Sequence, residues 1–111
     1  MDYLAAARLA HETTLRAKSV CEKWRWEITE VNENIYAGFV KELCAAAKAQ
    51  ADLAQRVTVE AALSGNTSLD KIMKYAIEAR AASLAMWSCA RDSISPDTWE
   101  RTSNPDDRWE G

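Results

Sequence analysis

The sequence predicts an all-α protein, and three observations lead to this prediction. Glycine and proline, which interrupt helices, are scarce: the 111 residues include only three Gly and two Pro. Alanine, which has the highest helix propensity, recurs along most of the chain. Apolar residues follow one another at spacings of three and four, the period of one helix face. We therefore expect an antiparallel helical hairpin built on a long first helix, or alternatively a three-helix bundle, with a short C-terminal helical turn and tail.

The first helix is predicted to begin near Asp2, because an acidic side chain stabilises the positive end of the helix dipole. An apolar stripe then stays in phase across residues 32–34, the one candidate break before residue 63. The stripe consists of Ala6, Ala10, Ala17, Cys21, Trp24, Ile28, Val31, Ile35, Phe39 and Leu43. Its preserved phase favours a single helix over residues 3–63, about 90 Å long at 1.5 Å per residue. Because Asn32 and Asn34 tolerate the left-handed conformation of a turn, three helices of similar length are the alternative.

The second break lies at residues 64–67, where Gly65 suits the position just beyond a helix end. Thr67 and Asp70 have the spacing of a capping box, which predicts that another helix starts here. Because the loop is short, this helix is expected to pack antiparallel to the one before it. Its apolar residues are Leu69, Ile72, Met73, Ala76, Ala79, Ser83, Leu84, Trp87, Ala90 and Ile94.

A further helix start is predicted at Ser95 and Pro96, with Ser95 as the cap and Pro96 at the first helical position. A short helical turn through Trp99 and Arg101 should follow, and then a loop or tail. The predicted organisation is a helical domain over residues 1–95, followed by the short helical turn and acidic tail over residues 96–111.

The overall charge argues against nucleic-acid binding, which needs clustered Lys and Arg to neutralise phosphates. The formal net charge is −3, and the sequence pI is about 5.2. The exception is a basic stretch near the N-terminus that includes Arg16, Lys18, Lys23 and Arg25. We expect this stretch to attract the acidic residues 92–111, within the chain or between chains, rather than nucleic acid. These four basic residues are therefore candidate partner-binding residues.

The cysteines and the hydropathy pattern predict a cytoplasmic protein. Cys21, Cys44 and Cys89 are odd in number and far apart, so we interpret them as small buried hydrophobes in a reducing compartment. The N-terminal residues lack the apolar segment of a signal peptide, and no stretch approaches the roughly 18 apolar residues of a membrane span.

The residues available for catalysis predict that the chain is not an enzyme and uses no cofactor or metal. His11 is the only histidine, so one chain cannot form a His-based metal site or a Ser-His-Asp triad. Glu27, Glu30 and Glu33 stand three residues apart, but the Glu-x-x-His motifs of helical di-metal sites are missing. We interpret these carboxylates as a solvated face.

Five tryptophans are the unusual feature of this chain. Trp24 and Trp87 lie on apolar stripes and are predicted to be core residues. Trp26 shares its helix face with polar residues, and Trp99 and Trp109 lie in acidic sequence. Large aromatic side chains are favoured interface anchors, so Trp26, Trp99 and Trp109 are candidate partner-binding residues. The alternative is that the tail folds back and its rings cap the ends of the bundle.

The alanine-lined faces predict association. Burying a Leu side chain contributes roughly 1.5–3 kcal/mol and burying an Ala only a fraction of that, so a lone hairpin of such helices would be marginal. It needs a third helix or a second copy of itself. With a continuous first helix, residues 69–94 would cover about half of its length. A homo-oligomer is then expected, with a dimer favoured.

Residues 45–94 resemble the bacterial phasins, helical proteins that coat polyhydroxyalkanoate granules. The resemblance lies in an Ala/Glu/Lys-rich helix, the break at residues 64–68, and a second helix with Leu69, Tyr75-Ala76, Glu78-Ala79 and the run 85–94. It implies amphipathic helices that bind an apolar polymer surface and each other. The tryptophans, the cysteines and the Pro-Asp-Asp tail depart from the phasin pattern.

Two functional hypotheses follow. The first is a non-catalytic helical interaction protein that self-associates and binds a protein partner or an apolar granule surface through Ala- and Trp-bearing helical faces. The alternative is a small helical adaptor or inhibitor, like a phage or bacterial regulator, that docks a larger protein through Trp26 and the acidic, Trp-bearing tail.

Overall fold

A computed structural model describes residues 2–102. Over this range the chain forms four helices: α1 (Tyr3–Arg25), α2 (Glu33–Leu63), α3 (Leu69–Ser93) and α4 (Pro96–Thr102). The three long helices pack against one another in all three pairings, and α4 packs on α2. The result is an elongated three-helix bundle measuring 52 × 27 × 20 Å. The all-α prediction is confirmed, and the arrangement is the three-helix alternative.

The continuous helix that the apolar phase favoured is not formed, because the chain reverses between Arg25 and Glu33. Asn32 holds this turn through its side chain. Its Oδ1 accepts the backbone N–H of Thr29 at 2.7 Å, and its amide donates to the carbonyl of Glu27 at 3.0 Å. Asn32 itself has a negative φ, so the turn depends on side-chain hydrogen bonds and not on a left-handed residue.

The apolar stripe is divided by this turn, and most of its continuation beyond the turn lies outside the core, although Leu43 packs against it. Val31, Ile35 and Phe39 are exposed, although the sequence pattern placed them on the buried face. Met73 and Leu84, assigned to the apolar stripe of α3, are exposed as well. The buried face of α2 is lined by mostly smaller residues: Ala37, Val40, Cys44, Ala47, Ala51, Ala54, Val57 and Ala61.

The α2–α3 connection follows the prediction. Gly65 has a φ of +67°, the left-handed conformation that glycine adopts without a steric penalty. Its N–H donates to the carbonyl of Ala62 at 3.2 Å, and the N–H of Asn66 donates to the carbonyl of Ala61 at 3.0 Å. This pair of bonds is a Schellman motif, which satisfies the last carbonyls of α2 and reverses the chain.

The predicted capping box at Thr67 is not formed. The N-cap of α3 is Ser68, and its side chain makes no capping hydrogen bond. Asn66 shapes the loop instead, because its Oδ1 accepts the N–H of Ser68 at 2.8 Å.

The core changes in side-chain size along the bundle. At the end formed by the α1–α2 turn it includes Trp99, Met86 and Ile94, and at the other end Val57 and Ile72. Between them lies a cluster whose buried residues are all alanine: Ala10, Ala51, Ala54 and Ala79. The alanine faces therefore cover one another within one chain, and the third helix supplies the partner that a hairpin lacks.

Within residues 2–102, none of the helices combines the length and apolar content that crossing a membrane requires.

Candidate partner-binding site

The polar groups considered for chemistry make structural contacts. His11 on α1 is partly buried, with Nε2 3.7 Å from the carboxylate of Glu78 and its ring 5.8 Å from that of Tyr75. Glu27 accepts a hydrogen bond from the hydroxyl of Tyr36 at 2.9 Å. Between residues 2 and 102, no group of three or more His, Cys, Asp or Glu side chains is arranged to hold a metal ion.

The three cysteines are free thiols inside the bundle, which confirms their interpretation as small buried hydrophobes. They belong to the same core cluster as Trp99. Burial raises the pKa of Cys44 to about 12 and raises the pKa of Cys21 well above its ordinary value. The reactive thiolate is therefore suppressed in the folded protein.

Trp99 is a core residue and not an exposed anchor, which corrects its assignment as a partner-binding residue. Its exposed fraction is 1%. Its ring centroid lies 5.8 Å from that of Trp87 on α3, and the ammonium of Lys41 on α2 lies 5.1 Å from it. Lys41 also donates to the carbonyl of Trp99 at 2.9 Å. For α4, the alternative that the C-terminal region folds back on the bundle is the one observed.

The start of α4 is attached to the first turn of α2. Glu33 accepts hydrogen bonds from the hydroxyl of Ser95 at 2.6 Å and from its N–H at 3.2 Å. These bonds and a contact with Thr98 lower the pKa of the Glu33 carboxyl. The Ser95 hydroxyl in turn accepts the N–H of Thr98 at 3.3 Å. The predicted helix start at Ser95 and Pro96 is confirmed.

Trp99 of α4 occupies one half of a groove between α2 and α3. Its neighbours there, Lys41 and Trp87, belong to faces that continue along both helices. Lys48 and Gln55 follow Lys41 at successive intervals of two helical turns, and Arg80 and Met73 precede Trp87 in the same way. We call the half of the groove that α4 covers the closed groove. The half that continues beyond α4 is the open groove.

The open groove contains a cavity of about 260 Å³ with a mainly apolar lining. Val59, Met73 and Ile77 stand at its rim with 54%, 43% and 67% of their surfaces exposed. Arg80 crosses the rim, where its guanidinium donates to the carboxylate of Asp52 at 2.6 Å. This bond holds the pKa of Asp52 below its ordinary value.

A second apolar surface surrounds the α1–α2 turn. We define the turn patch as Trp26, Val31, Ile35 and Phe39, whose exposed fractions are 84%, 93%, 65% and 51%. Ile35 and Phe39 stand one helical turn apart on α2. Trp26, a candidate partner-binding residue, is the exposed tryptophan of this turn.

Trp24 packs against Phe39, one of the four residues of the turn patch. It is partly buried and packs against the core, as predicted. Its ring centroid lies 5.9 Å from that of Phe39 and 5.8 Å from that of Tyr36, the second in an edge-to-face arrangement. Tyr36 and Phe39 are also edge to face, at 6.4 Å. Phe39 of the turn patch therefore belongs to an aromatic cluster whose rings restrict one another's positions.

The four basic candidates do not form one strip on α1. Arg16 and Lys23 lie two helical turns apart, as do Lys18 and Arg25, but the two pairs are about 200° apart around the helix. Lys18 is 3.6 Å from the carboxylate of Glu22. Arg25 lies 5.8 Å from the ring of Trp26. Separated in this way, the cations cannot follow one phosphate backbone.

The remaining candidate, Trp109, lies outside the described residues. The open groove was not among the sequence-predicted sites. Its signal in the sequence is a second row of large apolar residues on α3, Met73, Ile77 and Leu84, at helical spacings beside the buried row. Hydrophobicity alone does not separate two such rows, because both share the same period.

Comparison with known proteins adds no family to these observations. No protein-family model matches the chain, and no curated protein or solved structure matches it. The turn patch and the open groove are therefore the features of residues 2–102 from which a function can be inferred.

Proposed function

We propose that this chain is a non-catalytic helical binding protein that docks a larger protein through the turn patch. One observation carries the proposal: four large apolar side chains, one of them a tryptophan, are at least half exposed around one turn. Aromatic residues dominate the binding energy of many interfaces because they bury a large area with few rotatable bonds. Concentrated exposure of this kind marks interaction sites.

The turn patch is also pre-organised. Asn32 fixes the turn with its side-chain hydrogen bonds, and Trp24, Tyr36 and Phe39 hold one another edge to face or tilted. A partner that binds this surface has little conformational entropy to remove from the turn backbone and from Phe39. Pre-ordering of this kind raises affinity by lowering the ordering cost of association.

Self-association stays a prediction, but uncovered alanine-lined helix faces are no longer a reason for it. The alanine faces are buried against each other in a single chain, so a second copy is not required to cover them. The turn patch and the open groove are two surfaces through which a dimer could form, because large apolar side chains are exposed there.

A second candidate function is a coat on an apolar surface, as the resemblance of residues 45–94 to phasins implies. It is favoured by exposed large apolar residues on all three long helices and not only at the turn: Leu9, Leu15, Ile35, Phe39, Val59, Leu63, Met73, Ile77 and Leu84. Side chains spread in this way suit adsorption to an extended hydrophobic phase better than docking to one partner.

The test compares two double variants, each of which replaces two exposed apolar side chains by serine. One, Trp26→Ser with Ile35→Ser, alters the turn patch; the control, Leu9→Ser with Leu15→Ser, alters exposed residues of α1. The immobilised chains are used to capture protein from a lysate of the source cells, and circular dichroism verifies that both variants fold. We expect the turn-patch variant to retain less than a tenth of the captured partner, since anchor residues often contribute about 2 kcal/mol or more.

The control variant should capture the partner as the original chain does. Equal capture by both variants would contradict docking through the turn patch. Sedimentation with polyester particles tests the coat function: each of the two variants should then lose part of its binding. A chain that leaves such particles bare is not a coat protein.

A further inference from the structure

The α3 side of the open groove presents a row of exposed large apolar side chains. Met73, Ile77 and Leu84 are exposed on one face of this helix. Arg80 stands between the last two, so the row advances by four, three and four residues. This is the spacing with which one helix packs along another. We call these four residues the apolar row. Three of them also line the cavity of the open groove, so the row and the cavity form one surface.

A ridge of alternating charge runs along α2 beside the open groove. This charged ridge consists of Lys48, Asp52, Arg56 and Glu60, each four residues from the next. Its last three members surround Val59, at the rim of the groove cavity. If the direction of the ridge is reversed, every cation takes the place of an anion. An antiparallel copy of the same helix therefore presents the opposite charge at each position, which is the electrostatic complementarity of a specific interface.

A single twofold axis brings both features into register with a second copy. The apolar row is symmetrical about the midpoint between Ile77 and Arg80. The charged ridge is symmetrical about the midpoint between Asp52 and Arg56. The hydrogen bond of 2.6 Å from Arg80 to Asp52 places these two residues at the same height in the antiparallel pair of α2 and α3. Counted from this bond at the helical rise, the two midpoints differ in height by about 1 Å. One axis perpendicular to the helices therefore passes through both.

About this axis, each copy covers the open groove of the other. Met73 faces Leu84 of the second copy on both sides of the axis, so a leucine lies over the rim of each cavity. Ile77 faces the aliphatic part of Arg80 of the second copy, which can keep its guanidinium on its own carboxylate partner. Along α2, Lys48 meets Glu60 of the second copy. The contact thus has an apolar centre with paired charges at its edge, as protein interfaces commonly do.

The position of α4 leaves room for the second copy. Hydrogen bonds attach α4 to α2 at Glu33 and Lys41, so it covers the α2 face only up to residue 41. That residue lies about 20 Å from the axis at 1.5 Å per residue. In the second copy α2 ends at Leu63, about 14 Å from the axis in the same direction. The second copy therefore stops before it reaches α4.

We infer that two copies of this chain associate through the open groove as an antiparallel, twofold-symmetric dimer. The contact spans two helices side by side, which is at the small end of specific interfaces, so the dimer should dissociate on dilution. The two α1–α2 turns lie at opposite ends of the dimer and both turn patches stay uncovered. This inference concerns a different surface from the turn patch and does not depend on the proposed function.

Sedimentation equilibrium from micromolar to millimolar protein concentration tests the dimer. Ile77→Glu places a charge near the axis, and the matched control Leu9→Glu places the same charge at an exposed leucine of α1. Circular dichroism verifies that both variants fold. We expect the original chain and the control to pass from monomer to dimer, and Ile77→Glu to stay monomeric throughout. An original chain that is monomeric at every concentration, or a dimer that persists in Ile77→Glu, would overturn the inference.

A charge exchange tests the antiparallel register. Glu60→Lys sets a cation against Lys48 of the second copy and should raise the dissociation constant about tenfold. Adding Lys48→Glu restores opposite charges between the copies and should return the constant to within about threefold of the original. Within one chain each change creates a like-charged pair one helical turn apart, so an effect through helix stability would grow in the double variant. A double variant that dimerises no better than Glu60→Lys would contradict the register.

Discussion

The closed and open grooves are built from the same two helices, yet they differ in what fills them. The closed groove holds a fully buried indole, two helix-attachment points at Glu33 and Lys41, and a core that includes Met86 and Ile94. In the open groove Val59, Met73 and Ile77 stand at the rim of a cavity. Beneath it the buried residues are alanines.

The difference shows how an alanine-rich bundle uses its few large side chains. Alanine lets the helix backbones approach closely but fills little volume, so the grooves between helices stay shallow and the rims carry the bulky residues. A groove of this kind is closed by one aromatic side chain supplied from elsewhere. Trp99 does this at one end.

The largest expected effect is at the closed groove. Trp99→Ala removes the largest buried side chain, detaches α4 and leaves a cavity between Val40 and Met86. We expect a loss of about 3–5 kcal/mol in the free energy of unfolding, measured by urea denaturation. Trp26→Ala, at an exposed position, should change it by less than about 0.5 kcal/mol. Similar losses in the two variants would mean that the two rings are equally buried.

High pH should destabilise the same half of the molecule, because burial raises the pKa values of Cys21 and Cys44 there. The pKa of Cys44 is about 12 in the fold, against an ordinary value of 9.0. A raised pKa contributes stability that is complete below the unfolded value and is lost as the pH rises towards the folded one. Between pH 9 and 12 we expect the free energy of unfolding to fall by about 1.4 kcal/mol per pH unit for this thiol.

Urea titrations at increasing pH measure this slope, and Cys44→Ala provides the control, because its slope should be shallower. In the native protein below pH 9, a thiol reagent should label the three cysteines only at the rate of unfolding. Rapid labelling of the folded chain would show that at least one thiol is accessible.

A smaller effect is expected where α4 begins. Glu33→Ala removes the acceptor of both Ser95 hydrogen bonds and should cost about 1 kcal/mol. Because the pKa of Glu33 is lowered in the fold, this contribution is present above the unfolded pKa and disappears as the pH falls through the folded one. The protection of α4 amides against hydrogen exchange, taken relative to the intrinsic rate at each pH, should therefore fall in the variant and, in the original chain, at acid pH. The exposed neighbour Glu30→Ala should leave exchange in α4 unchanged.

The helix ends that local chemistry determines could be predicted from the sequence. Gly65 marks the end of α2 because the left-handed conformation there favours glycine, and Ser95 with Pro96 marks the start of α4. The turn at Asn32 could not be predicted in the same way. It is held by hydrogen bonds from one side chain to two backbone groups, and the apolar period continues across it without a change.

The surfaces were harder to predict than the helices, because burial is a property of the packed bundle. Hydrophobicity ranks Val31, Ile35 and Phe39 above the alanines of α2, yet the alanines are buried because three helices that approach closely have room only for small residues. Trp99 lies in acidic sequence, and only the groove between α2 and α3 makes it a core residue.

The central claim is that one chain buries its own alanine faces and Trp99 while leaving the turn patch exposed. The most direct measurement is the paramagnetic broadening of the tryptophan indole N–H signals in a dilute sample, assigned with Trp26→Phe and Trp99→Phe. We predict strong broadening of the Trp26 signal and none of the Trp99 signal. Protection of the Trp26 indole in a monomer, or broadening of the Trp99 indole, would contradict the claim.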